Sequence, residues 1–319
     1  MTNQNSKLSL NILVTGGCGF MGRWVCKNLL EKGHEVWILD NLSNCAEENI
    51  KEFSNKLSGF IKDDIKDKNT LSQAFKNNFD ICIHMAAAIN VQESIDNPRK
   101  CFDDNVLGTF LLLEECRKAK TKMVFISSAL IYQTPKNKEE IAETHPLNPS
   151  CPYTASKIFG EEMTIAYHKT YDLPCVILRP FSIYGPWQRN DSEGGVMSIF
   201  IDRKLKEKPL EVFGSGNQSR DFFYVEDCAD FIVKASLSDS AVGEIFNAGS
   251  GNEVRIKDLA DSISEDAVSV KFVEHHHLHA EIMHMRASSD KAKKVLGWQA
   301  KVGLKEGIEK TTQWLKQRI

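Results

Sequence analysis

The first half of the chain alternates short apolar runs with longer amphipathic stretches. Apolar runs at residues 10–14, 35–39, 80–84, 122–126 and 175–178 are typical of strands buried on both faces. Between them, apolar residues recur with helical spacing at residues 23–32, 71–76, 97–118 and 153–171. Strands that alternate with helices in this way predict βαβ units, and therefore a parallel sheet covered by helices on both faces.

The pattern loosens after about residue 178. Glycine and proline residues punctuate this part of the chain, among them Pro180, Gly185, Pro186 and Gly214, so we expect a smaller, loop-rich lobe. The helical stretch at residues 225–237 is predicted to return to the large sheet. We therefore predict an α/β protein with one domain at residues 1–179, to which residues 221–247 return, and a lobe formed mainly by residues 180–319.

Composition narrows the possible classes of protein. The 319 residues are 42% hydrophobic and 26% charged, which is ordinary for a globular protein and excludes a disordered or fibrous one. A net charge of −3 provides no basic field for nucleic acid or an anionic membrane. No apolar run reaches the ~20 residues of a membrane span, and residues 1–10 lack an apolar signal core. The nine cysteines form no C-x-x-C pair, which favours a cytoplasmic location.

A glycine-rich loop directly follows the first predicted strand. Gly16, Gly19 and Gly22 lie three residues apart, and a helix follows them. In a dinucleotide-binding loop the first glycine permits a sharp turn, the second lets the backbone approach a pyrophosphate, and the third packs the helix against the strand. A plain turn is the alternative. Asp40, which follows the second strand, favours NAD over NADP because its carboxylate accepts hydrogen bonds from ribose hydroxyls and repels a 2′-phosphate.

A candidate catalytic group follows the fourth strand. Tyr153 and Lys157 are four residues apart and share one face of a predicted helix, while Ser128 lies at the carboxyl end of the strand at residues 122–126, where ligands of parallel sheets bind. A free tyrosine has a pKa of ~10, so a base at neutral pH needs a shift of about 3 units, or roughly 4 kcal/mol, from nearby cations. The alternative for Tyr153 and Lys157 is an exposed helix pair without a function.

These motifs resemble the extended short-chain dehydrogenase/reductase family in its NAD-dependent nucleotide-sugar epimerase/dehydratase branch, over residues 12–314. The resemblance implies a Rossmann-type doubly wound sheet with a smaller C-terminal substrate lobe. It implies catalysis by Ser128, Tyr153 and Lys157. It also implies NAD binding by Gly16, Gly19, Phe20, Met21, Gly22, Asp40, Asn41, Asn44, Asp64, Ile65, Met85, Ala86, Ala87, Asn105, Tyr153 and Lys157.

The residues after Ser128 distinguish between reactions of this branch. Dehydratases and decarboxylases of the family usually carry acidic residues there, whereas this chain has Ala129 and Leu130, which cannot transfer protons. The resemblance therefore favours a 4-epimerase acting on a UDP-hexose through a transient 4-keto sugar. A dehydratase, a decarboxylase or a ketosugar reductase is the enzymatic alternative. An NAD-binding regulator is the non-enzymatic one, although such proteins lose the tyrosine or the lysine.

The resemblance also implies a nucleotide-sugar site. Phe181, Ser182 and Arg220 are its expected substrate residues, with Arg220 on the pyrophosphate, and Ser128 also contacts the sugar. Three positions depart from the family. Gln133 replaces a glycine, Ser182 replaces an asparagine, and histidines stand near residues 278–281, where many relatives have a second arginine.

Four histidines lie at residues 275–279, beside carboxylates. Their spacing fits no structural zinc motif, so we expect no metal site, and a loop near the substrate or a solvated loop is the alternative. The helices at residues 101–118 and 153–171 correspond to those that form the dimer interface of relatives, which implies a homodimer.

Overall fold

A computed structural model describes residues 9–190, 195–274 and 281–318. Its strands are β1 (Asn11–Thr15), β2 (Glu35–Leu39), β3 (Gly59–Ile61), β4 (Ile81–His84), β5 (Lys122–Ile126), β6 (Cys175–Pro180), β7 (Ser182–Tyr184), β8 (Leu210–Phe213), β9 (Ser219–Tyr224), β10 (Ile245–Ala248), β11 (Glu253–Arg255) and β12 (Val270–Val273). Its α-helices are α1 (Phe20–Glu31), α2 (Lys68–Ala74), α3 (Val91–Asp96), α4 (Pro98–Cys101), α5 (Gly108–Ala119), α6 (Pro152–Tyr171), α7 (Val196–Leu205), α8 (Val225–Leu237), α9 (Ile256–Ser264) and α10 (Leu304–Lys316).

The central sheet contains seven strands in the order β10-β6-β5-β4-β1-β2-β3. All neighbouring strands are parallel, as the apolar pattern predicts. The five predicted strands are confirmed, but the sequence analysis missed β3 and β10. β3 is only three residues long, which is too short to show a pattern. In β10, the apolar run is broken by Asn247, which is fully buried because its side chain bonds to the Tyr132 hydroxyl and the Ile141 carbonyl.

Helices cover both faces of this sheet, so the predicted doubly wound Rossmann-type architecture is confirmed. On one face α1 packs against α8, with Val25 and Leu29 in the same core as Phe231 and Ile232. On the other face, residues of α2, α5 and α6 form a second core. The helix predicted at residues 97–118 is present as one helical run from Pro98 to Ala119, but its middle part, Phe102–Leu107, is π-helical.

The remaining elements build a smaller layer. β11, β9 and β7 form a three-stranded sheet, and β12 pairs with β8. Apolar residues of α7, α9 and α10 pack on these strands in a separate core. Residues 221–224 belong to β9 and to this smaller sheet, whereas α8 and β10 join the large one. Residues 221–224 continue a strand paired with β7, and the return at residues 221–247 stays a prediction. The domain division at residue 179 stays a prediction.

Two further findings concern the described residues. No helix of the structure is both long and apolar enough to cross a membrane. All nine cysteines lie within the described ranges, and all are free thiols.

Candidate active site

The glycine-rich loop lies between β1 and α1, and its geometry requires glycine. Gly16 has a φ of +73°, and a Cβ atom there would lie 2.8 Å from the backbone nitrogen of Ala86. A Cβ atom on Gly22 would lie 2.1 Å from the Gly16 carbonyl oxygen. The first turn of α1 has no side-chain cap and no acidic residue. Its backbone N–H groups are therefore suited to an anion such as a pyrophosphate.

A cavity of about 580 Å³ opens beside this loop. All predicted cofactor residues except Asn105, Tyr153 and Lys157 line it, namely Gly16, Gly19, Phe20, Met21, Gly22, Asp40, Asn41, Asn44, Asp64, Ile65, Met85, Ala86 and Ala87. Its size and its mixture of apolar walls and few polar groups suit a dinucleotide. Sequence reasoning missed Trp187, Gln188 and Arg189, which also line the cavity. Gly185 and Pro186 indicate a turn in the sequence, but in this part of the chain the resemblance gives roles only to Phe181 and Ser182, on the substrate.

The carboxylate of Asp40, directly after β2, is held in place by three hydrogen bonds. Its Oδ2 atom accepts a hydrogen bond from the Cys18 backbone N–H at 2.9 Å, and its Oδ1 atom accepts one from the Leu42 N–H at 2.9 Å. The Cys45 thiol donates to Oδ1 at 3.4 Å. A carboxylate has about four acceptor sites, so one site stays available for a ribose hydroxyl. Cys18, in the glycine-rich loop, is fully buried and packs in the core.

Asn105 lies in the π-helical turn and is 3% exposed. Its amide accepts a hydrogen bond from the Ala88 N–H at 2.7 Å and donates to the Ala88 carbonyl at 2.9 Å. It also donates a hydrogen bond to the Ser156 hydroxyl at 2.9 Å, and that hydroxyl donates one to the Tyr153 carbonyl. Asn105 therefore ties the cavity wall after β4 to the start of α6, and its amide does not itself line the cavity.

Ser128, Tyr153 and Lys157 come together at the carboxyl end of β5. Tyr153 and Lys157 are each 6% exposed, which contradicts the alternative of an exposed helix pair. Lys157 donates from Nζ to the Ile126 carbonyl at 3.0 Å. Ser128 caps the short 3₁₀ turn that follows β5 and hydrogen-bonds to Tyr153. The serine and the tyrosine can therefore contact one substrate hydroxyl together.

Burial acts on the tyrosine and the lysine in opposite senses. It raises the pKa of Tyr153 to about 12, against the hydrogen bond with Ser128, which lowers that pKa. Burial also lowers the pKa of Lys157 to about 8, although Cys101 and Glu161 favour its charged form. The protein alone thus holds Tyr153 as a phenol at neutral pH. Ionising the tyrosine at pH 7 requires lowering its pKa by about 5 units in total, or roughly 7 kcal/mol. This total exceeds what the free side chain would need.

The expected substrate residues lie on the strands next to the large sheet. Phe181 is buried and its N–H bonds to the Ala248 carbonyl of β10, while Ser182 begins β7. Arg220, on β9, forms an ion pair with Glu281 and donates to the Ile282 carbonyl at 2.7 Å. Burial lowers the pKa of Arg220 to about 10. The guanidinium therefore already has a carboxylate partner, at a position near which relatives carry a second arginine.

The histidines at residues 275–279 lie outside the described residues. Within residues 9–190, 195–274 and 281–318, no group of three or more histidine, cysteine or acidic side chains could hold a metal ion. Of this part of the sequence, His284 is described, and its Nδ1 atom lies 3.2 Å from the Ser219 hydroxyl and 3.9 Å from Glu253. The expectation of no metal site stays a prediction.

Comparisons with known proteins cover nearly the whole chain. The model of the NAD dependent epimerase/dehydratase family matches residues 12–249. A putative UDP-glucose 4-epimerase from Methanocaldococcus jannaschii is 39% identical over 309 residues, which cover 96% of this chain and 98% of that protein.

Solved structures agree with the fold. The X-ray structure of Pal from Bacillus thuringiensis is 48% identical to this chain and has a TM-score of 0.96, and the match covers 97% of this chain and 100% of that one. The UDP-glucose 4-epimerase of Thermus thermophilus, solved in complex with NAD, is 32% identical with a TM-score of 0.89, and covers the same shares of the two chains.

Proposed function

Because this chain belongs to the NAD-dependent epimerase/dehydratase family and is an NAD-dependent enzyme, we propose that it is a nucleotide-sugar epimerase that inverts carbon 4 of a UDP-hexose. The family resemblance inferred from the sequence motifs is confirmed. The UDP-hexose and the position on the sugar rest on the names of the relatives from M. jannaschii and T. thermophilus.

The roles of the catalytic side chains follow from their positions. Tyr153 takes the proton of the sugar 4-hydroxyl and later returns it, and Ser128 orients that hydroxyl by a second hydrogen bond. Bound NAD would supply the acceptor and donor for the hydride of carbon 4. Lys157 binds the nicotinamide ribose and favours the phenolate form of Tyr153, because a nearby cation lowers the pKa of an acidic group.

One observation carries the choice of epimerisation. Neither residue that follows Ser128 can move a proton, because Ala129 is apolar and 1% exposed and Leu130 packs in the same apolar cluster as Tyr153. A dehydratase needs a second acid and base for the step after oxidation. The remaining proton carriers of this cluster are the thiols of Cys101 and Cys151. Oxidation and reduction at one carbon need only one acid–base group, and Tyr153 is that group.

The substrate pyrophosphate is proposed to bind Arg220, with Phe181 and Ser182 beside the sugar. A guanidinium has five donors, of which Ser219, Ile282 and Glu281 take three, so two donors of Arg220 are left for a diphosphate. Ser182, which replaces an asparagine of relatives, offers one hydroxyl in place of an amide.

Product analysis in deuterated water tests the reaction. The purified enzyme is incubated with UDP-, dTDP-, GDP- and CDP-hexoses without added cofactor, and the products are examined by mass spectrometry and proton NMR. We expect a product of unchanged mass with an inverted carbon 4 and no deuterium on carbon, since the hydride never exchanges with solvent. Loss of water or carbon dioxide, deuterium at carbon 3 or 5, or a need for added reduced cofactor would overturn the proposal.

The variant Tyr153→Phe tests the assigned base. It removes only the hydroxyl, so kcat is expected to fall at least ~10²-fold, the low end of general-base effects, while NAD stays bound. Tyr171→Phe is the matched control, because Tyr171 lies on the same helix and is 52% exposed. Near-normal turnover of Tyr153→Phe would contradict the mechanism.

We also propose a cytoplasmic homodimer. An apolar groove of about 510 Å³ lies between the π-helical turn, α5 and α6, and Phe102, Leu107 and Phe110 are exposed beside it. Exposed apolar surface of this kind commonly marks an interface, and nine free thiols suit a reducing compartment. Phe110→Asp is expected to shift the sedimentation coefficient from dimer to monomer, whereas Phe272→Asp, on exposed β12, leaves it unchanged. A wild-type monomer would contradict this proposal.

A further inference from the structure

One wall of the cofactor cavity comes from the smaller layer of the fold. Trp187, Gln188 and Arg189 follow β7 and line the cavity together with the glycine loop and Asp40. Arg189 also reaches the loop after β2, since its Nη1 atom donates to the Asn44 carbonyl at 3.4 Å. The segment at residues 185–189 therefore touches the cofactor side of the molecule although it is anchored in the other layer.

Trp187 is held in a strained backbone conformation. Its φ is +74°, in the left-handed region that glycine favours and a bulky side chain avoids. Such a residue persists only when its surroundings over-determine its position, and strained residues concentrate at ligand clamps and switch regions. The contacts of the Trp187 ring are therefore informative about its role.

Two guanidinium groups from distant parts of the chain contact this ring. The Cζ atom of Arg23 lies 4.3 Å from the centroid of the Trp187 ring, and that of Arg318 lies 4.2 Å from it. The ring of Trp314, in α10, lies 5.6 Å away. In addition, Trp24 donates from its indole N–H to the carbonyl of Pro186 at 3.2 Å. Side chains from the first turns of α1 and from the residues after α10 therefore contact the same tryptophan ring.

Arg23 connects this cluster to the glycine loop. It is 1% exposed, follows Gly22 directly, and its guanidinium bonds to Glu52 at 2.6 Å and to the Asn49 carbonyl at 2.7 Å. Asn49 in turn donates to the Cys18 carbonyl of the loop at 2.9 Å. The Nη1 atom of Arg23 has no hydrogen-bond partner among the described residues, so contact with aromatic rings is what compensates this buried part of the cation.

We propose that Trp187, held by Arg23 and Arg318, is a clamp that keeps the segment at residues 185–189 closed on bound NAD and slows release of the cofactor. The inference rests on the proposed function in one respect, because an epimerase returns its cofactor to the starting redox state and gains from retaining it between turnovers. Arg23, Trp187 and Arg318 are positioning residues in this scheme and take no part in proton or hydride transfer.

The rate of NAD release from the loaded enzyme tests the clamp. The holoenzyme is diluted into buffer without NAD, and the NAD that passes an ultrafiltration membrane is measured over time, with no sugar present. We expect Trp187→Ala to accelerate release about tenfold or more, and Trp187→Phe to restore part of the slow release. Arg318→Ala is expected to accelerate it about two- to fivefold, the range for one exposed cation–π contact.

Lys316→Ala is the matched control, because it removes an exposed positive charge at the end of the same helix. It should leave the release rate unchanged. Arg318 is also exposed, so we expect its replacement to leave the fold intact. The melting temperatures of all variants are measured to check this. Unchanged release in both Trp187→Ala and Arg318→Ala would overturn the clamp. Failure of epimerisation would leave this measurement unaffected, so the two proposals fail separately.

Discussion

The cofactor side and the substrate side of the site are built by different means. On the cofactor side, backbone geometry determines the residue types, since Gly16 and Gly22 have no room for a Cβ atom and Asp40 is held by backbone N–H groups. On the substrate side, Arg220 is held by a side chain 61 residues away, Glu281. A backbone requirement is local and leaves a motif, whereas a pairing between distant charges leaves none. Three predictions test this difference.

The largest expected effect is a loss of folding stability in acid. It arises at a residue on the cofactor side. His84, at the end of β4, is fully buried between the hydroxyls of Thr15 and Thr109, and burial lowers its pKa to about 3. Below pH 6.5 the unfolded chain binds a proton at this histidine and the folded chain does not. Stability is therefore lost as the pH falls from 6.5 to 3, by roughly 2 kcal/mol at pH 5 and roughly 4 kcal/mol at pH 3.

The measurement is the free energy of unfolding by denaturant at several pH values, in wild type and in His84→Gln. Glutamine keeps a donor and an acceptor but does not titrate, so its curve should be flatter between pH 6.5 and pH 5. His34→Gln is the control, because His34 lies near the surface and its pKa is lowered less. Parallel curves for wild type and His84→Gln would show that the acid sensitivity lies elsewhere.

A charge change at Arg220 should affect the substrate side alone. Arg220→Gln removes charged hydrogen bonds worth about 1.5–3 kcal/mol, so KM is expected to rise about ten- to hundredfold while the retention of NAD is unchanged. Arg255→Gln is the matched control, since Arg255 lies on neighbouring β11 and pairs with Asp258 at the surface. If Arg220→Gln leaves KM unchanged, the pyrophosphate binds elsewhere.

A methyl group in the glycine loop should have a smaller effect, confined to the cofactor side. Gly22→Ala forces a Cβ atom against the Gly16 carbonyl, and overpacking of this kind costs about 1–3 kcal/mol. We expect a lower melting temperature and weaker NAD retention, measured by thermal unfolding with and without NAD. Gly303→Ala is the control, because no heavy atom lies within 4 Å of its added Cβ and its φ is −70°. Equal melting temperatures for the two variants would contradict the steric requirement.

The sequence predicts the large sheet well because its strands are continuous apolar runs. The glycine loop and Asp40 follow from the sequence pattern, whereas the other residues that line the cofactor cavity were named only by the family resemblance. The sequence misses Trp187, because nothing in it indicates that a residue of the second layer reaches this cavity. The sequence motif also does not report the burial of Tyr153, which moves the pKa of the tyrosine away from neutrality.

The π-helical turn at Phe102–Leu107 serves two surfaces with one short length of chain. Asn105 points inward to the catalytic region, while Phe102 and Leu107 are exposed beside the apolar groove. The wider π-helical turn sets Asn105 and its exposed neighbours at angles that regular α-helical spacing would not give. A deletion in this turn would therefore change the catalytic region and the groove together.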